Sequence, residues 1–353
     1  MSGRRHLADS LRWSTETEVA AIEVLSAGLG MAGPIAFAAL AGHLPLGAVA
    51  AIGSFAVGGV SAAQALPQRF RALIVSVVPP ALAGLAAIAI AGLGAFTSIA
   101  IVVLAAVAAT VGGYSRPMAV ATTRFVLFLL IAINFVQTTP YHAAAVGLMA
   151  AGALWAFVLN LGLGVVMRSL GLIRVATAAA EAPQPTAAQK RARWQRSLRG
   201  ASGWQYAVRL TVCLAIGEAL SLLWPEHHLY WVTLTVALLT ERPLEAVPVK
   251  TTQRALGTTI GVALSGLIIS YRPPAWGIVL VIGAFAGARP LLRARNYFAY
   301  SILMTPLIIL IMDFSAQPDA GVLIDRLMAT LIAVALVITA NLLAGRALRH
   351  GAG

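Results

Sequence analysis

Twelve apolar stretches govern what this chain can become. They lie near 22–42, 45–60, 72–93, 94–113, 125–138 and 143–167. Beyond a polar, basic stretch at 168–204 they continue near 205–224, 229–240, 255–271, 275–288, 297–312 and 322–345. Most approach the ~20 residues that a bilayer helix needs. Charged residues are only 10% of the chain and hydrophobic ones 59%, against ~25% and ~45–50% in a soluble domain. A water-facing surface cannot be covered with so few charges, so large soluble domains and extended disorder are excluded. The stretches are continuous rather than alternating, which selects helices over a membrane barrel. Twelve helices of ~20 residues use most of the 353 residues and leave no room for a sizeable catalytic domain. The expected fold is an all-α polytopic membrane protein with about twelve transmembrane helices.

The few charges sort by side. With the N-terminus in the cytoplasm and every stretch crossing, 23 of the 25 Lys and Arg fall inside, and only Arg272 and Arg326 fall outside. Basic residues are retained on the cytoplasmic side of short loops, and this sorting keeps 229–240 and 275–288 as spans. Runs of 10–14 residues also form re-entrant or buried segments. The chain then divides into a cytoplasmic tail 1–21, a first six-helix half 22–167, a basic cytoplasmic linker 168–204 and a second six-helix half 205–347. Residues 1–19 are polar, with no apolar core beside a cleavage site, so the first apolar stretch directs insertion. The expected location is a bacterial-type inner membrane, with both termini cytoplasmic. The linker contains Pro183, Pro185 and the run Lys190-Arg191-Ala192-Arg193. It reads as an orientation signal and a solvated segment whose charge suits anionic lipid, not as a nucleic-acid element. The one cysteine, Cys213, lies in an apolar stretch and has no intrachain partner for a disulfide.

A shift of 185 residues places Gln68-Arg69 on Gln253-Arg254 and His43 on His228. Six spans per half make both halves enter from the same side. The expectation is therefore two parallel six-helix repeats about an axis along the membrane normal. Glycine, 32 residues in all, permits close helix contact throughout.

Residues 206–313 carry an ordered set of short motifs. Tyr206-x-x-Arg209 opens a helix. Tyr230-Trp231-Val232-Thr233-Leu234-Thr235 opens a short span, followed by Arg242-Pro243. Then come Arg254-Ala255-Leu256-Gly257-Thr258-Thr259-Ile260-Gly261, Arg295-Asn296-Tyr297 and Thr305-Pro306. In order and spacing they resemble the fusaric-acid-resistance-like (FUSC) membrane domain of the aromatic acid exporter superfamily. The resemblance implies export of small organic anions, aromatic carboxylates in particular, by a carrier or a channel. The lack of a clustered acid/base or metal set argues against an integral membrane enzyme, and no cofactor is expected. The partners that the resemblance implies are the organic anion and the lipid bilayer, with room for a homo-oligomer. A non-transporting membrane scaffold or accessory subunit is the rival of another class, since membrane composition alone suits it equally.

An aromatic carboxylate needs a cation and flat walls, and arginine offers a planar pair of donors. Arg254 and its repeat mate Arg69 are placed at the start of the third span of each half, and Arg209 and Arg124 near span ends. Each is a candidate for the anion, against plain anchoring at a helix end. Tyr230 and Trp231 are candidates for stacking, against an interfacial belt. Thr258, Thr305, Asn296 and Tyr297 add polar groups, and Pro306 removes a helix hydrogen bond near mid-span. Gly257 and Gly261 share a helix face, for close packing or a close ligand. Glu218 is the one acid deep in an apolar span and is the candidate for proton coupling. Its repeat equivalent is Gly33. The external side would hold Asp313, Asp319 and Asp325, the last placed to pair with Arg326 or cap its helix, and His43, His142, His227 and His228. Adjacent histidines alone do not make a metal site. No nucleotide-binding or hydrolase motif occurs, which speaks against a chain that burns ATP itself.

Overall fold

A backbone crossing hydrocarbon must satisfy its own hydrogen bonds, and each of the twelve apolar stretches folds as an α-helix. The computed structural model describes residues 13–14, 19–57, 66–94, 96–138, 141–172, 185–312 and 320–350. Most of the N-terminal tail, Arg174, Pro183, Asp313 and Asp319 lie outside the described residues. In chain order the helices are α1 Ala21–Leu40, α2 Leu44–Phe55, α3 Leu66–Ala91, α4 Phe96–Val111, α5 Arg116–Thr138, α6 His142–Ser169, α7 Ala187–Leu198, α8 Ala201–Leu223, α9 Tyr230–Leu239, α10 Ala246–Tyr271, α11 Ala275–Arg295, α12 Tyr297–Met312 and α13 Ala320–His350. Among the described residues there are no strands.

Nine of these helices are long and apolar enough to cross a membrane. Three apolar ones are shorter: α2, α9 and α12. The stretch expected at 275–288 runs on to Arg295 and reaches spanning length, whereas that at 229–240 yields only the ten residues of α9. Two helices start well before their apolar stretch. α5 begins at Arg116 and α10 at Ala246. Hydropathy stops at the first charge, but Lys, Gln and Arg are good helix formers, so the backbone continues. Arg254 therefore stands two turns inside α10 rather than opening it, and Arg69 lies in the first turn of α3.

The chain forms two compact units, each drawing on both halves of the sequence. The first comprises Met1–Ala81, Thr139–Thr177 and Leu256–Ile324. In it α1 packs on α2, α6 and α11, while α2 packs on α6 and α12. The second comprises Leu82–Thr138, Ala178–Ala255 and Asp325–Gly353. In it α8 packs on α4, α7 and α9, and α5 packs on α4 and α9.

Small residues set these contacts. A Cβ on Gly53 would strike the Met149 carbonyl, and one on Gly152 would strike the Ala50 carbonyl. The α2–α6 crossing thus brings backbone onto backbone, and the Ser54 hydroxyl donates across it to Gly152 O at 2.8 Å. Gly257 and Gly261 do the same for α10 against α12. A Cβ there would lie 2.6 Å from Ser301 Cβ and 2.6 Å from Ile302 O, respectively. Ile302 O is the carbonyl that Pro306, four residues on, cannot donate to. Of the two readings of this glycine pair, the structure uses it for helix contact.

Candidate functional site

Besides Arg326 on α13, at 0% exposure, two arginines are sealed from solvent at 1% each: Arg69 on α3 and Arg254 on α10. Burying a guanidinium is costly unless it is paired and hydrogen-bonded. Among the described residues no carboxylate lies within ion-pair distance of either. Their neutral surroundings differ. In the first unit Asn160, the one amide in the α6 span, holds Arg69. Its Oδ1 accepts from Nε at 2.9 Å and Nη2 at 2.7 Å, and its backbone carbonyl accepts from Nη2 at 3.0 Å. Nη1 alone has no partner, and it lies where a Cβ on Gly164 would come within 2.7 Å. In the second unit Arg254 has no such clamp. Its Nε and Nη2 are buried and meet no hydrogen-bond partner.

Arg209, also buried, is fully engaged in the second unit. It donates to Gln205 O at 3.2 Å, Asn341 Oδ1 at 2.8 Å and Glu241 O at 2.8 Å. It thereby ties α8 to α13 and to the loop after α9. Asn341 donates onward to Leu244 O at 3.2 Å, and Gln205 Nε2 to Arg242 O at 2.9 Å. Arg242 lies over the Tyr206 ring at 4.3 Å and donates to Ala109 O at 3.0 Å. Burial pulls its guanidinium below the ordinary arginine value, and the Tyr206 phenol acts in the opposite sense. Lys250, near the start of α10, pairs with Glu241 of that loop. The motif Arg242-Pro243 had flagged this corner without assigning it a role. Gln205 and Asn341 were missed, although a lone amide in an apolar span, in α13 as in α6, was the available signal.

Tyr230 and Trp231 do not join Arg209. They open α9, whereas Arg209 binds the loop beyond its other end, and ten residues at 1.5 Å each separate the two by roughly 15 Å. Trp231 is fully buried, with the Arg326 guanidinium over its ring at 4.1 Å. Asp325 neither pairs with Arg326 nor caps a helix. Its two carboxylate oxygens take His227 Nδ1 and His228 Nδ1, each at 2.9 Å, and the His228 backbone N–H donates at 3.0 Å. That clasp joins residues 97 positions apart, which no local pattern announces. No group of three or more His, Cys, Asp or Glu fit to hold a metal occurs among the described residues.

The remaining candidates separate by role. Asn296 caps α12, its Oδ1 accepting from Ala299 N at 2.9 Å, and Tyr297 stacks on Tyr300 at 5.5 Å. Thr305 Oγ1 donates to Ser301 O at 3.0 Å. The hydroxyls of Thr258 and Ser301 are buried without a partner on helices that touch through Gly257. Thr258 stands one turn beyond Arg254 on α10. Arg124 is half-buried on α5. Glu218 is half-buried on α8, within reach of the Ser98 hydroxyl.

Comparison with protein-family models matches residues 212–340 to the family described as fusaric acid resistance protein-like. The match takes in α9 to α12, most of α8 and most of α13. Neither the curated proteins nor the solved structures returned a match.

Proposed function

We propose, from the premise that the second half of the chain carries a fusaric acid resistance protein-like membrane domain, that the protein exports small organic anions, aromatic carboxylates among them, coupled to the proton gradient of a bacterial-type inner membrane. The family points to membrane transport or efflux, and the many apolar helices make the chain a multi-pass membrane protein. The single observation that carries the substrate class is Arg254. A guanidinium at 1% exposure, with two nitrogens lacking any protein acceptor, is a cation prepared for an anion brought from outside the chain. Had it been packed dry as a structural group, its donors would be expected to end on carbonyls, as those of Arg209 do. A planar carboxylate accepts two parallel N–H bonds from such a group.

The packing supports the two-repeat reading. α1 on α11 is matched by α8 on α4, and α2 on α12 by α9 on α5. These are the same partnerships with the halves exchanged. The second helix of each half, α2 or α9, is also short. Unusually short segments at corresponding positions of two halves mark the substrate region in repeat transporters. Glu218, present in one half only, is the group assigned to proton coupling.

The test is uptake of labelled benzoate into proteoliposomes holding the full chain, with and without a pH gradient. Saturable flux that follows the gradient and loses that dependence in Glu218→Gln supports the reading. Flux equal to that of empty liposomes overturns it in favour of a scaffold. Non-saturating current replaces the carrier with a channel.

A further inference from the structure

The linker read as solvated contains a built helix, and its placement assigns it a ligand. α7 starts with a capping box: Thr186 Oγ1 accepts from Gln189 N at 3.3 Å, and Gln189 Oε1 accepts from Thr186 N at 3.0 Å. Such reciprocal capping fixes a helix start. Trp194 then pins the helix to the second unit. Its Nε1 donates to Thr110 O, in the last turn of α4, at 3.1 Å, and its ring meets Tyr114 edge-on at 6.0 Å. The tether is short at the other end, where Trp204 in the first turn of α8 donates to Leu198 O at 2.8 Å. α7 thus lies at the level where one membrane span ends and the next begins, which is the headgroup layer of a bilayer.

Every charge on α7 is positive. Arg191, Arg193, Arg196 and Arg199 are exposed; at 100° per residue Arg196 and Arg199 lie opposite Trp194, Arg193 about 100° to one side and Arg191 about 60° to the other. No acidic residue occurs between Glu181 and Glu218, and among the described residues none of the four arginines forms an ion pair. Their one side-chain bond is Arg196 Nε to Ala192 O, within the helix. Trp204 beside them is 44% exposed, a residue suited to the interface. We infer that the exposed face of α7 binds the phosphates of anionic phospholipids in the adjoining leaflet. Nucleic acid fits the charge but not the level, because a polyanion in solution has no use for a helix pinned at the ends of two spans.

The probe is phosphatidylglycerol in nanodiscs holding the full chain, with phosphatidylcholine nanodiscs as reference. Cys213 is buried, so Gln195→Cys puts a single reactive thiol on the exposed side of α7 without touching an arginine. Maleimide labelling is expected to slow at least fivefold in phosphatidylglycerol discs, and equal rates in both lipids overturn the inference. In detergent, the variant carrying Arg191→Gln, Arg193→Gln, Arg196→Gln and Arg199→Gln is expected to lose co-purifying phosphatidylglycerol at least tenfold, at about fivefold or less per basic residue near an anionic surface. The same loss from neutralising Arg71, Arg293, Arg346 and Arg349 would assign the lipid to general charge and overturn it. So would displacement of the lipid by soluble glycerol phosphate, or by single-stranded RNA, at matched phosphate concentration.

Discussion

Arg69 and Arg254, mates in the proposed repeat, are equally buried, yet one is clamped and the other is not. Asn160 supplies the difference. A neutral amide stabilises a buried cation without neutralising it, so Arg69 becomes a strut between α3 and α6. Arg254 lacks that acceptor, and in the function proposed above its open donors serve a ligand. Equal burial therefore does not imply equal roles, and what separates them is where the hydrogen bonds end.

The largest effect expected is on Arg254. Arg254→Gln should reduce benzoate transport about 100-fold, the worth of roughly 3 kcal/mol of charge-assisted bonding. The melting temperature in detergent should hold or rise, because removing an unpaired buried charge relieves its desolvation. If transport survives and the protein melts early, Arg254 is a strut like Arg69. Arg69→Met should do the opposite and cost about 1–3 kcal/mol of stability by stranding the Asn160 amide. Surviving molecules should transport normally, as a thermal melt paired with flux per folded protein will show. Asn160→Ala should make the two arginines alike. We expect a loss of about 1–2 kcal/mol, together with a larger upward thermal shift on adding benzoate than the wild type shows. The smallest effect is for Gly164→Ala. Its Cβ would crowd Arg69 Nη1, the far end of a flexible side chain, so a loss of about 1 kcal/mol or less is expected. A larger drop would mean that the clamp tolerates no movement.

Much of the fold was legible, and the limits have physical causes. All twelve apolar stretches are helices, because partition into hydrocarbon and internal hydrogen bonding impose the same local answer. Hydropathy misplaced the starts of α5 and α10, since it measures transfer to lipid and not helix continuity. That error put Arg254 at a span mouth rather than two turns inside α10. α7 was overlooked although Thr186-x-x-Gln189 spelled its cap, because the charge of the linker drew the reading towards solvent. The glycine crossing of α2 and α6 and the clasp of Asp325 by two histidines pair residues about a hundred positions apart. Neither contact has a local signature. Among the candidate cations, sequence named Arg69, Arg124, Arg209 and Arg254 but could not rank them, because the ranking depends on the carbonyls and amides each one meets.

Equilibrium binding of labelled benzoate to the purified full chain tests the central claim most directly. Wild type and Arg69→Met should bind with similar affinity, and Arg254→Gln should bind at least tenfold more weakly. Unchanged binding in Arg254→Gln would contradict the account.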